Sequence, residues 1–239
     1  MGLRSTRVTR GGGLVLKTIV SCVLLFVLIA LTAYIAFHYA PIERTMGIIQ
    51  KIFYLHLPAA FTSFVALGVC FFANLMYVFK REAKWDWLGV SAAEVGLAFI
   101  SVVLVTGPIW AHPVWGIWWT WDARLTLTFV LWLLYVAYLL LRSMLEEPEK
   151  RALLSALFGI FAFLDVPLVY FSIRWWRTQH PQPVILGGAG SGLDPRMRIA
   201  YLLVWAVFLA LMVLLLKARY TLESARADVD ELRREAEAL

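Results

Sequence analysis

Histidine and tryptophan are the side chains of this sequence with the most chemistry to offer. His38, His56, His112 and His180 lie far apart along the chain, whereas five tryptophans crowd into residues 110–121. An aromatic belt at a membrane edge needs one or two tryptophans per helix end, so five in so short a run exceed it. The segment Trp115-Gly-Ile-Trp-Trp-Thr-Trp-Asp122 offers a broad aromatic surface for a flat apolar ligand, with Asp122 and Arg124 at its edge. His56 lies in Tyr54-Leu-His-Leu-Pro58, where Pro58 suits the first turn of a helix, and His180 lies in Trp175-Trp-Arg-Thr-Gln-His-Pro181. Neutral imidazole is the usual axial ligand of haem iron. Aromatic faces together with arginines are what would hold a planar macrocycle bearing anionic propionates. Cys22 and Cys70 each stand alone in an apolar run, and no CxxC occurs, so neither a disulfide framework nor a thiol redox motif is indicated.

The elements that must position these residues are membrane spans. The chain has 239 residues, of which 62% are hydrophobic and 16% charged. Its mean hydropathy of +0.76 leaves no polar shell for a soluble globule and excludes a disordered or collagen-like chain. A helix needs roughly 20 apolar residues to cross the hydrocarbon. Six stretches qualify, at about 14–40, 52–79, 87–108, 125–142, 151–173 and 198–216. The first is too long for a signal-peptide core and lacks a cleavage site, so it counts as a span. The expected fold is therefore an all-α integral membrane protein of six transmembrane helices. Its domains are a six-helix membrane unit, 1–216, and a cytoplasmic helical tail, 217–239. Lysine and arginine are concentrated on the side of the two termini, which predicts that both termini are cytoplasmic. The basic excess, 22 against 16 acidic residues, then reads as membrane orientation and not as a nucleic-acid surface. All four histidines and seven of the eleven tryptophans fall on the opposite, outer side of this map. Gly116 with Pro113 is expected to break the third helix, so that the tryptophan-rich segment leaves the span.

Trp115-Gly-Ile-Trp-Trp-Thr-Trp-Asp-Ala-Arg124 resembles the WWD signature of the haem-handling membrane proteins of cytochrome c biogenesis. Within that superfamily, size and span number are similar to the CcmC family of haem exporter proteins. Lys51-Ile-Phe-Tyr-Leu-His56-Leu-Pro-Ala-Ala resembles its first outer histidine motif, and Tyr170-Phe-Ser-Ile-Arg-Trp-Trp-Arg-Thr-Gln-His180-Pro its second. The resemblance implies a multi-pass protein of the bacterial inner membrane that binds haem b at the periplasmic face. It implies His56 and His180 as the axial ligands, with Trp115, Gly116, Trp118, Trp119, Trp121, Asp122 and Arg124 forming the platform and its rim. Propionates would meet Arg124, with Lys51, Arg174 and Arg177 as weaker candidates. The implied partners are the haem chaperone CcmE, the ATP-binding subunit CcmA, and the membrane subunits CcmB and CcmD. No G-x-x-x-x-G-K-[ST] loop occurs in this chain, so ATP hydrolysis is expected in a partner, and the chain itself is expected not to be an enzyme.

Two other classes compete. A b-type electron-transfer cytochrome usually wants haems near both faces, and the inner face of this map has no histidine. A polar-solute transporter would need interrupted helices with polar groups at mid-membrane, and few are on offer. Glu94 and Asp165 sit inside apolar runs, where a carboxylate is costly enough to be functional by default or to pair with a neighbouring helix. His38 and His112 fall outside the family's motifs and are expected to be dispensable for iron. In the tail, Leu222, Ala225, Val229, Leu232, Ala236 and Leu239 form a short heptad seam. Either it docks on another component of the complex or the tail is a solvated continuation of the sixth span.

Overall fold

The computed structural model describes residues 5–176, 178–181, 184–185 and 192–237. Arg177 and Leu239 lie outside them. Helices follow one another as α1 (Ser5–Tyr34), α2 (Phe53–Lys80), α3 (Ala83–Trp115), α4 (Ala123–Met144), α5 (Pro148–Phe163), α6 (Asp165–Trp175) and α7 (Pro195–Glu237). Six stretches among the described residues are long and apolar enough to cross a membrane, with α5 and α6 together making one of them. No β-strand occurs among the described residues, where the one pairing outside helix is an isolated bridge between Glu43 and Gly47. The all-α, six-span architecture is the one the hydropathy requires.

Small residues let the helices approach closely, as expected where lipid supplies no hydrophobic drive for association. A Cβ on Gly96 of α3 would stand 2.4 Å from Leu67 Cδ2 of α2, so glycine at that position makes room for Leu67 against α3. Asn74 of α2 is wedged in the same way between Gly89 and Gly159, whose added Cβ atoms would fall 2.7 and 2.2 Å from its amide. The central core lies between α2, α3, α4, α5 and α6, around Leu67, Cys70, Ile100, Leu131, Tyr135, Tyr138 and Val169. Near the face that carries the termini, Arg142 at the end of α4 clamps Asp86 of α3 with two hydrogen bonds of 2.6 and 2.9 Å.

Three local features differ from the sequence expectation. First, α2 begins at Phe53, joined directly to a 3-10 turn at Ile48–Ile52, so Pro58 is the sixth helical residue and not a first-turn one. Second, α3 runs through Pro108 and Pro113 to Trp115. Each proline removes one backbone donor, but membrane helices tolerate this because neighbouring groups take up the freed carbonyl. The helix stops at Gly116, whose φ of +76° lets its N–H turn back to the His112 carbonyl at 2.8 Å. Third, the fifth span is broken at Leu164, between α5 and α6. Pro167 cannot donate to the carbonyl of Phe163, which weakens the helix at that point. Asp165, buried beside the break, has its Oδ2 without a partner among the described residues.

Candidate functional site

A cavity of about 500 Å³ opens near the face opposite the termini, within the size range of small-molecule sites. Its walls come from the first turns of α2, the last turns of α3, the start of α4, Val169 and Ile173 of α6, residues 180–181, 184–185 and 192–194, and the start of α7. The lining is mostly apolar and aromatic, and includes Phe53, Phe61, Phe64, Trp110, Trp115 and Trp119. Few charged or titratable groups enter it: His56, His180 and Arg124, with Glu43 and Asp194 as the acids of the lining. Both acids are already engaged by backbone. Glu43 accepts from the N–H groups of Thr45 and Met46 at 2.9 and 2.6 Å, which holds its carboxyl below the usual range. Asp194 accepts from Arg196 N at 2.8 Å at the start of α7.

His56 sits in the first turn of α2, with its Nδ1 2.9 Å from Thr106 Oγ1 of α3. The edge of Trp110 lies against the imidazole, centroid to centroid 5.7 Å. His180 Nδ1 lies 3.0 Å from the carbonyl oxygen of Pro181. A carbonyl only accepts, so this nitrogen carries the proton and Nε2 keeps its lone pair. Enclosure by protein, reinforced by the Arg124 cation, lowers the His180 pKa to about 4. The ring is therefore neutral at physiological pH, the form that binds metal.

Arg124 reaches from the first turn of α4 to the middle of α6, where its Nη1 donates to the carbonyls of Val169 and Tyr170 at 3.2 and 3.5 Å. A guanidinium has five N–H donors, so these two contacts leave others for an anion in the cavity. Asp122 has a different task. Its Oδ1 accepts from Leu125 N at 3.0 Å as the N-cap of α4. Its Oδ2 accepts from Thr120 Oγ1 at 3.0 Å and from Gln179 N at 3.2 Å. One carboxylate thus ties the tryptophan-rich loop, the start of α4 and the segment carrying His180.

The residues singled out in the sequence separate into two groups. His56, His180, Trp115, Trp119 and Arg124 line the cavity; Gly116, Trp118, Trp121 and Asp122 do not. Trp118 stacks on His112 at 4.2 Å, and both lie outside the cavity lining. Trp121 is 74% exposed and packs edge-on against Trp119. Gly116 contributes the chain reversal. Among the weaker propionate candidates, Lys51 is turned away: buried, it donates to the carbonyls of Ala36 and Ala40 at 2.8 and 2.6 Å and closes the end of the first span. Arg174 lies over the ring of Phe171, outside the cavity. His38 stacks on Tyr34 at 4.7 Å, also away from it. Trp110 and Gln50 also line the cavity, and Thr106 stands beside His56, though none of the three was assigned to the site from the sequence. Each comes to the site by helix packing, for which a single sequence carries no periodic signal.

The geometry joins two imidazoles, an arginine and aromatic walls around one apolar space, and relatives of known family share most of the chain that builds it. The family profile described as CcmC: Heme exporter protein C matches residues 6–235. Heme exporter protein C of Bradyrhizobium diazoefficiens is 33% identical over 193 residues, covering 81% of this chain and 73% of that protein. The protein of the same name from Escherichia coli is 33% identical over 194 residues, 80% of this chain and 74% of the relative. Its Haemophilus influenzae counterpart is 30% identical over 190 residues, with coverage of 80% and 77%. This chain belongs to the CcmC family, heme exporter protein C.

Proposed function

We propose that the protein is a haem-handling component of cytochrome c maturation that holds haem b in the cavity at its periplasmic face and presents it to the chaperone CcmE. The family assignment supports the haem-handling role. The observation that carries the site is the convergence of His56 and His180, distant in sequence, on one apolar cavity that also receives Arg124. A bound haem would supply an iron with two axial positions, a flat macrocycle and two propionates. His180 offers a neutral imidazole with a free Nε2, and His56 lines the same space. Trp115, Trp119 and the phenylalanines give the macrocycle an apolar enclosure. Arg124 gives a propionate a charge-assisted hydrogen bond. Trp118 and Trp121, exposed outside the cavity, are surfaces for the arriving chaperone. Within the inner membrane the chain works beside CcmB and CcmD, and ATP is hydrolysed by CcmA.

The test is a haem titration of the purified full-length protein, read by Soret absorbance. His56→Ala and His180→Ala should each weaken retention and shift the band, while His112→Ala leaves its position unchanged. Full haem occupancy in the double variant His56→Ala/His180→Ala would overturn the assignment.

A further inference from the structure

His56 and His180 are held at the cavity by different kinds of partner. His180 bonds to the carbonyl of its own neighbour, Pro181, whereas His56 on α2 bonds across the helix interface to Thr106 on α3. The Thr106 hydroxyl has a single proton, and its oxygen lies 2.7 Å from the Val102 carbonyl, which can only accept. With that proton committed to the α3 backbone, Oγ1 meets His56 as an acceptor. Nδ1 of His56 then donates, and the lone pair stands on Nε2. The arrangement is enclosed: Thr106 is buried, and the edge of Trp110 lies against the imidazole. On the α3 side, Gly107 leaves just enough room, since an added Cβ would stand 3.4 Å from His56 Cε1.

We infer that Thr106 is a positioning residue for His56. The relay from Val102 O through the Thr106 hydroxyl to Nδ1–H fixes the tautomer and plane of the imidazole and makes Nε2 a stronger donor to iron. The inference rests on the haem-site reading above. Hydrogen-bond partners of metal-binding histidines typically account for about 10–100-fold in affinity. The two ligands would consequently be unequal. His56 is fixed by two packed helices, and His180 is held on a connecting segment.

Thr106→Val keeps the shape and removes the hydroxyl, Thr106→Ser keeps the hydroxyl, and His56→Ala removes the ligand. Imidazole ¹⁵N shifts of the haem-free full-length protein report the tautomer directly, and haem titration and the midpoint potential report the consequence. Wild type should show Nδ1 of His56 protonated. Thr106→Val should lose that preference, bind haem roughly tenfold more weakly and move the potential upward, and Thr106→Ser should restore all three. An unprotonated Nδ1 in wild type overturns the relay without any variant having to fold. Unchanged tautomer and affinity in Thr106→Val, with haem lost from His56→Ala, overturns the role of Thr106 alone. Failure of Thr106→Ser to restore binding assigns the effect to packing and also overturns it. Undiminished haem in His56→Ala overturns the haem-site reading and this inference together.

Discussion

Trp119 stands between two spaces. One of its neighbours is the cavity; the other is a groove of about 290 Å³ formed with Leu104, Pro108, Trp121 and Phe129. A ring in that position contributes apolar enclosure on the cavity side and edge-to-face contacts on the other, with Trp121 at 5.8 Å and Phe129 at 6.4 Å. Aromatic pairs of this kind add about 1 kcal/mol beyond the area they bury. Trp119→Ala should therefore weaken haem retention several-fold in the Soret titration. Trp121→Ala, removing a ring outside the cavity, should leave it within about twofold and should instead slow transfer to the chaperone. Equal loss of haem in both variants would mean that the run 115–121 acts as one surface.

At the scale of elements, Asp122 joins the start of α4 to the segment that carries His180, and its two oxygens divide the work. Asn at this position keeps an oxygen for Leu125 N but presents an NH₂ where Gln179 N needs an acceptor. Asp122→Asn should then lose one net hydrogen bond of about 1 kcal/mol from the tie to the His180 segment, and haem affinity should fall by up to roughly fivefold. Asp122→Ala removes the helix cap as well, and should lower stability by about a further 1 kcal/mol in a thermal melt. If Asp122→Asn binds haem as tightly as wild type, the link to Gln179 has no part in placing His180.

Across the whole molecule, the sixth span and the tail are one helix, α7, which runs without interruption from Pro195 to Glu237. Its root is fastened to α3 by Arg219, which pairs with Glu94 through both Nε and Nη2, the latter at 2.7 Å, and with Glu223 at 3.1 Å. The carboxylate inside the third apolar run thus has its partner within the chain. Arg219→Ala should cost about 2 kcal/mol, because it leaves a partly buried charge without its hydrogen bonds. A chain ended after Arg226 keeps this pair and should melt near wild type, whereas one ended after Leu216 should not. Beyond the latch, Leu222, Val229 and Leu232 are about half exposed, so the seam is free for a partner. Loss of a cytoplasmic partner on shortening after Arg226, with haem binding intact, is the result that would assign it one. Orientation is checked in a variant lacking Cys22 and Cys70. Ile117→Cys should react with an impermeant maleimide from the periplasmic side, and Ser224→Cys only after permeabilisation.

Composition and hydropathy are one-dimensional quantities, and they determined what is one-dimensional in this protein: the number of spans and their all-helical character. The histidine and tryptophan motifs were legible for the same reason, since each is a local run. Helix ends were less so. Pro113 looked like a stop and Pro58 a start, yet the prolines sit inside helices, because tertiary neighbours compensate for one missing hydrogen bond. The break at Leu164 went the other way, where Pro167 weakens a run that reads as continuous. Which side chains share the cavity was decided by packing alone. The packing of α2 on α3, where Gly96 makes room for Leu67, brings Thr106 within 2.9 Å of His56. Trp118 and Trp121 differ from Trp119 in direction, not in type or spacing. Lys51 and Asp122, charged residues within the motifs, were taken up by helix ends, whose unsatisfied backbone groups need partners.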